Sequence, residues 1–343
     1  MSMIINKVLP SPQELKDEYP LTDDLKALKA KRDAEIKKVF TGESDKFLVI
    51  VGPCSADNED AVCEYAKRLG DLNDKVSDRL ILIPRIYTNK PRTNGVGYKG
   101  MLHQPDPEGP SDLYLGIKAI RQMHLRAMRE SGLTCADEML YPSNRSYLDD
   151  LLSYEAIGAR SVENQGHRLV ASGMDIPVGM KNPTSGDLSV MLNSVKAAQS
   201  PQRFIYRGMD VSTSGNPLAH VILRGGVNKH GHSIPNYHYE DLIRCVDLYK
   251  GWDLQNPAIV IDANHSNSDK KFKEQIRIVN SIVHSREYNP EIRKLVKGVM
   301  IESYLVEGRQ DICANMVYGQ SITDPCLGWD DTEALLLKLA KRV

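Results

Sequence analysis

The sequence has no apolar run longer than a strand. Its opening Met1-Ser2-Met3-Ile4 lacks a cationic segment followed by a long apolar one. Neither a membrane span nor a signal peptide is therefore expected. A basic tract is also missing: 44 Lys and Arg stand against 45 Asp and Glu, for a formal net charge of −1, with both signs mixed along the chain. Without a cationic footprint for a phosphate backbone, nucleic acid is not an expected partner. The six cysteines have no paired spacing, which argues against a disulfide framework and for a reducing, cytoplasmic setting. No low-complexity or Pro/Gly-rich linker divides the chain after its polar N-terminal stretch. What remains is a 343-residue chain, 41% hydrophobic and 26% charged. That composition suits one large α/β domain with decorations, or two ordinary domains.

Residues 1–45 are polar and helix-forming, and Pro12 to Phe40 offers few core candidates. Such an arm packs on a partner subunit or across the bottom of a fold. From Lys46 onward, short β-branched runs alternate with amphipathic, helix-length segments. The strand candidates are Phe47–Val51, Leu80–Ile86, Thr134–Glu138, Ile157–Ser161, Pro177–Lys181, His220–Arg224, Ala258–Asp262 and Gly298–Glu302. Helical patterns between and after them include Asp60–Leu72, Leu113–Glu130, Tyr147–Ser153, Asp187–Ala198, Tyr239–Tyr249, Phe272–His284 and Thr332–Lys341. Continuous β-α alternation of this kind predicts a (β/α)8 TIM barrel over residues 46–343 rather than an open sheet. Gln202–Tyr206 and Val211–Ser214 predict a small hairpin, about 202–214, inserted before the sixth strand.

A parallel barrel builds its site from the carboxyl ends of its strands. Here those ends carry Cys54, Arg85, Glu138, Arg160, Lys181, Arg224, His265 and Glu302, with Lys90, Arg92 and Asp324 on following loops. Cys54, His265, Glu302 and Asp324 supply one thiol, one imidazole and two carboxylates, a set that could hold a divalent transition ion with an open position. Arg85, Lys90, Arg92, Arg160, Lys181 and Arg224 have little acidic compensation nearby in sequence. Bound anions, two phosphates and a carboxylate, would relieve their repulsion. Taken singly, each residue has a plainer explanation: an inert core thiol, a strand-capping histidine, a solvated carboxylate or a surface cation. Their joint placement at successive strand ends outweighs those explanations. The other histidines and cysteines keep the plain reading, His230-Gly231-His232 included.

Several motifs resemble the type I alpha DAHP synthases. They are Gly-Pro-Cys-Ser at 52–55, Lys-Pro-Arg-Thr at 90–93, Ile-Gly-Ala-Arg at 157–160, Ile-Leu-Arg-Gly-Gly at 222–226, Glu-Ser-Tyr-Leu-Val-Glu-Gly at 302–308 and Ser-Ile-Thr-Asp at 321–324. The likeness runs from about residue 5 to the end. It implies a condensation of phosphoenolpyruvate with erythrose 4-phosphate, one divalent ion per subunit (Mn, Fe, Co or Zn), and a homodimer or homotetramer in which residues 1–45 make a subunit contact. It implies Cys54, His265, Glu302 and Asp324 as metal ligands. Arg160 and Arg224 are implied on the phosphate of phosphoenolpyruvate, Arg85 and Lys181 near its carboxylate or bridging oxygen, and Glu138 in the same site. Lys90 is implied at the reacting centre, with Arg92 and Thr93 on the phosphate of erythrose 4-phosphate. Two other readings fit parts of the pattern: a KDO8P synthase-like condensation with arabinose 5-phosphate, against which Lys90-Pro91-Arg92-Thr93 speaks, and a non-catalytic barrel that binds sugar phosphates.

The chain departs from the family's pattern in places. The segment after Thr93 is one residue longer than usual, and Asn264 and Ser266 stand where Ser and Ala are common. In feedback-sensitive relatives an aromatic amino acid binds near the loop after the third strand, the turn before the fifth and the hairpin. Here those places hold Met139, Tyr141, Arg145, Ser146 and Asp175. The acid expected for the effector's ammonium is missing and Tyr141 adds bulk, so weak or absent inhibition by Phe, Tyr and Trp is expected.

Overall fold

Eight apolar runs form one parallel sheet in the computed structural model, which describes residues 3–92 and 94–343. The strands are Phe47–Gly52, Leu80–Pro84, Ala136–Glu138, Tyr154–Ile157, Val178–Lys181, Ala219–Leu223, Ile259–Asp262 and Val296–Glu302, called first to eighth below. The first pairs in parallel with both the second and the eighth. The ring closes where Arg85 at the end of the second strand bridges Ala136 of the third, with the Ile86 amide donating to the Ala136 carbonyl at 2.9 Å. Helices fill most of the connections, among them Glu59–Val76, Leu113–Ser131, Leu188–Gln199, Tyr239–Lys250 and Glu274–Tyr288. The fold is a (β/α)8 barrel. Two antiparallel strands, Gln202–Tyr206 and Met209–Thr213, form a hairpin between the fifth and sixth barrel strands.

Strand side chains alternate between two apolar compartments, as the period of two requires. Phe47, Val49 and Val51 face the helices, while Leu48 and Ile50 fill the barrel. The same division separates Leu80 and Leu82 from Ile81 and Ile83, and Ile259 and Ile261 from Val260. Gly179 has no side chain because Tyr154 and Ile222 occupy the space beside it inside the barrel. Extending the inward register to each strand's carboxyl end gives Gly52, Arg85, Glu138, Gly158, Lys181, Arg224, Asp262 and Glu302. One alternation therefore builds both the core and the mouth.

The floor of the barrel is the helix Asp23–Thr41. Its Ile36, Val39 and Phe40, one stripe at spacings of three and four, join the interior cluster. Arg32 on the same helix donates to the Leu82 carbonyl at 2.7 Å and to Glu35 at 2.9 Å. The N-terminal region thus holds more core residues than its sequence suggests, with Leu15 and Leu25 also buried. Their few apolar positions are diluted by charges on the solvent side. No helix among the described residues is long and apolar enough to cross a membrane.

Two elements differ from expectation. The fourth strand is Tyr154–Ile157, not Ile157–Ser161, and the expected helix Tyr147–Ser153 is replaced by a 3-10 segment, Pro142–Tyr147. Glu155 hid the strand. A carboxylate in its middle reads as solvent-facing, yet it is buried and Arg145 donates to it at 2.9 Å. The segment before that strand is rich in Ser, Asn and Pro, residues that hydrogen-bond locally and favour a short turn-like helix.

Inside the barrel the imidazole of His220 touches the Tyr154 hydroxyl at 2.8 Å and the Leu218 carbonyl at 2.9 Å, and its ring lies 4.4 Å from that of Phe40. Burial lowers its pKa to about 4, opposed by the bond to the Leu218 carbonyl. The unfolded chain therefore takes up a proton before the folded one does. This contribution is complete above the unfolded value near 6.5 and is lost as pH falls toward 4. We predict that the stability gap between the wild-type chain and His220→Asn, read by urea unfolding, is constant above pH 7. It should shrink by roughly 3 kcal/mol between pH 6.5 and 4. A gap independent of pH would contradict the assignment.

Candidate active site

Cys54, just past the first strand, Glu302, ending the eighth, and Asp324 each offer a ligand atom within 4.8 Å of the others. The imidazole of His265 approaches the same group, its Nε2 lying 3.9 Å from Glu302 Oε1. His265 sits at φ +49°, a left-handed conformation that a non-glycine residue adopts only when its surroundings hold it. Its other ring nitrogen lies 2.8 Å from Asp262 Oδ2, though off the line of a hydrogen bond. Glu302 is held from behind: Gln275 accepts from its amide at 2.8 Å and donates to its carbonyl at 2.9 Å. Burial pushes the Cys54 thiol up to about 11, with nearby Glu302 adding to the effect. A thiol, an imidazole and two carboxylates so close together make a donor set that fits a divalent transition ion.

Three of the expected cations are already neutralised. Arg85 donates to Glu302 at 3.0 Å and also to the carbonyls of Pro53 and Cys54. Lys90 donates to Cys54 Sγ at 2.7 Å and to Asp324 at 3.0 Å, and Lys181 donates to Asp262 at 2.9 Å. Burial alone would raise the acids' pKa values, but the surrounding cations win. His265 and Lys181 hold Asp262 well below the usual carboxylate range, and Lys90, Lys270 and His265 do the same for Asp324. The expectation of six uncompensated cations is thereby revised, because distant strands supply the counter-charges.

The other three cations are unpaired. Arg92 donates to the Tyr98 carbonyl at 2.8 Å, Arg160 to the Pro91 carbonyl at 3.1 Å and Arg224 to Ser266 Oγ at 3.1 Å. No described carboxylate forms a salt bridge with any of them. Burial and the charge of Arg160 both act to lower the pKa of Arg224, with Asp262 opposing. These guanidiniums open into a cavity of about 140 Å³, lined also by Cys54, Arg85, Lys90, Glu138, Lys181, His265 and Asp324. Glu138 lies over Gly158, where any side chain would collide with its carboxylate. Ten of the twelve residues singled out in the sequence thus line one cavity, and Glu302 stands directly behind it, bonded to Arg85. Thr93 lies outside the described residues.

The sequence matches the DAHP synthetase I family over residues 23–337. The chain belongs to that family. It is 38% identical to a phospho-2-dehydro-3-deoxyheptonate aldolase of Haemophilus influenzae, over 99% of this chain and 92% of that protein. It is 37% identical to the Tyr-sensitive and Trp-sensitive enzymes of that name from Escherichia coli, over 97% and 98% of this chain and 92% and 95% of theirs. A solved structure of the Francisella tularensis aldolase superposes with a TM-score of 0.92 at 34% identity, covering all of this chain and 98% of that one.

Within the family's pattern, the two departures after the seventh strand are in contact with the cluster. Asn264 donates to the second carboxylate oxygen of Glu302 at 2.6 Å, and Ser266 is the side chain that receives Arg224. Sequence reasoning passed over Asp262, whose position at the end of an apolar strand was the available signal, and Lys270, which donates to Asp324 at 2.9 Å. It also missed the amides behind Arg224. Asn182 Oδ1 accepts from the Arg224 backbone at 2.9 Å, and Asn236 Oδ1 accepts from Gly225 at 2.7 Å. Asp262 is the sole described carboxylate bonded to Lys181. We predict that Asp262→Ala, which leaves a buried ammonium without its partner, lowers the unfolding free energy by about 3–5 kcal/mol. A loss below about 1 kcal/mol in equilibrium unfolding, the range of an exposed pair, would refute that dependence.

Proposed function

We propose that the barrel mouth condenses phosphoenolpyruvate with erythrose 4-phosphate, yielding a seven-carbon 3-deoxy keto sugar phosphate (DAHP) and inorganic phosphate. One observation carries the reading: three unpaired guanidiniums share one cavity with Cys54, His265 and Asp324, and Glu302, within ligand distance of Cys54 and Asp324, stands directly behind it. The names of the relatives agree with it.

In this reading Cys54, His265, Glu302 and Asp324 would hold a divalent ion (Mn, Fe, Co or Zn), which when bound supplies Lewis acidity toward the aldehyde oxygen. Arg160 and Arg224 grip the phosphate of phosphoenolpyruvate through forked hydrogen bonds. Arg85 and Lys181, already fixed by Glu302 and Asp262, face its carboxylate or bridging oxygen, and Glu138 hydrogen-bonds in the same site. Arg92, with Thr93, takes the phosphate of erythrose 4-phosphate. Held in this way, the two substrates meet without the entropic cost of a bimolecular encounter. The methylene carbon of phosphoenolpyruvate bonds to the aldehyde carbon, whose carbonyl electron pair moves to oxygen. Lys90, between Cys54 and Asp324, delivers the proton that makes this oxygen a hydroxyl. Water adds at the second carbon of the enolpyruvyl unit and loses a proton. That proton replaces the one Lys90 delivered; the carbon–oxygen bond to phosphate then breaks, and the remaining hydroxyl proton leaves with the phosphate as the keto group forms.

Steady-state phosphate release should require both substrates, stop on chelation and resume with a divalent ion. Lys90→Ala should lower kcat by about 10²–10⁴-fold. Arabinose 5-phosphate should substitute poorly for erythrose 4-phosphate. Undiminished turnover in Lys90→Ala, or none with both substrates and metal, would refute the reading.

Weak or absent feedback inhibition is part of the proposal. Beside Met139, Tyr141 and Arg145 there is a space of about 30 Å³, and the Glu155 carboxylate that lines it is already bound by Arg145. Activity should survive sub-millimolar Phe, Tyr or Trp, and a strong dose-dependent loss with any one of them would overturn this. A cytoplasmic homodimer or homotetramer completes the proposal, with residues 1–45 contributing a subunit contact. Met3, Ile4, Ile5 and Val8 stand exposed and in need of cover.

A further inference from the structure

A cavity of about 620 Å³, larger than the mouth, lies at the opposite end of the barrel. Its walls are the residues that lead into the first, seventh and eighth strands, together with the ends of the helices before the last two. This end of a (β/α)8 barrel ordinarily serves stability. Its charge here is ill suited to that purpose. The lining carries six cations, Lys46, Lys250, Arg286, Arg293, Lys294 and Lys297, against the acids Asp45 and Glu291. Glu291 is already occupied by Lys250 at 2.9 Å. Nearby Glu287 is taken by Arg342 at 2.8 Å.

Arg286 is the decisive residue. It is only 8% exposed, yet it forms no hydrogen bond or ion pair with a described residue, and its buried Nε has no partner. Its guanidinium carbon lies 4.4 Å from the face of the Phe47 ring, and Asp45 and Glu287 favour its charge only from a distance, neither forming an ion pair with it. Burial and the neighbouring Arg293 lower its pKa to about 10, and burial together with Arg286 lowers that of Lys297. A buried guanidinium without a carboxylate in contact is destabilising, and a bound anion would relieve that cost. Phe40, Tyr249 and Leu295 add an apolar wall. The Tyr249 hydroxyl is bonded to the Ala258 carbonyl at 2.9 Å, so this side chain offers the cavity no free polar group.

We propose that this basal cavity binds a phosphate-bearing small molecule, anchored by Arg286 and flanked by Lys294 and Lys297, with its apolar or planar body against Phe40, Tyr249 and Leu295. The excess of positive charge exceeds what one carboxylate neutralises, and a guanidinium fork matches phosphate oxygens. This site is independent of how the mouth is read.

The test is calorimetric titration of the full-length chain at low ionic strength with pyrophosphate, a probe of the charged half of the ligand. Two classes of site are expected in the wild-type protein, one of which disappears in Arg160→Gln/Arg224→Gln at the mouth. The other should weaken by at least about tenfold in Arg286→Gln and in Lys294→Gln/Lys297→Gln. If Arg286→Gln fails to fold by circular dichroism, the double lysine variant, further toward solvent, decides alone. The proposal is overturned if pyrophosphate binds the basal variants as it binds wild type, or binds nowhere beyond the mouth. It is equally overturned if the basal variants change only the oligomeric state in sedimentation, which would make the cavity a subunit interface.

Discussion

The mouth of this barrel depends on a compact set of opposite charges held where water has little access. Glu302 and Asp262 are buried side chains on adjacent strands, and neither would stay ionised there alone. Arg85 and Lys181, rising from other strands, keep them charged, and they in return keep the two cations upright. Each buried ion is thus both cost and remedy for its neighbour, which explains why the residues come as a constellation. The interaction also divides the labour among the six expected cations. Three are bound into the wall, and three remain free to meet whatever enters.

Much of this was legible in sequence because strand periodicity does two jobs. The run Leu48, Ile50 identifies an inward face, and the same count carried along the other strands ends on Arg85, Lys181, Arg224 and Glu302. What sequence could not give was pairing across distance. Arg85 and Glu302 are far apart in the chain, and nothing local says that one cancels the other. Glu155 misled for the same reason, since its partner lies ten residues earlier on an irregular turn. The apolar stripe on the helix Asp23–Thr41 was outnumbered by charged neighbours, so sequence left two places for this arm, on a partner subunit or across the bottom of the fold, and the structure shows the second.

Asn264 and Ser266 are unusual against the resemblance, yet each makes a hydrogen bond to a residue of the cluster. Asn264 takes up the oxygen of Glu302 that Arg85 does not use, and Ser266 steadies a guanidinium that has no carboxylate. Such substitutions change how the site is braced without changing which groups it presents.

The turn that follows the seventh strand has one further consequence, for the lengths of the loops. Asp262 reaches Lys181 with the oxygen that lies against His265, while Asn264, between them, must still reach Glu302. His265 meets these demands only by adopting a left-handed backbone. A single inserted or deleted residue would move Asp262, Asn264 and His265 out of reach of their partners, so these contacts fix the length of that turn.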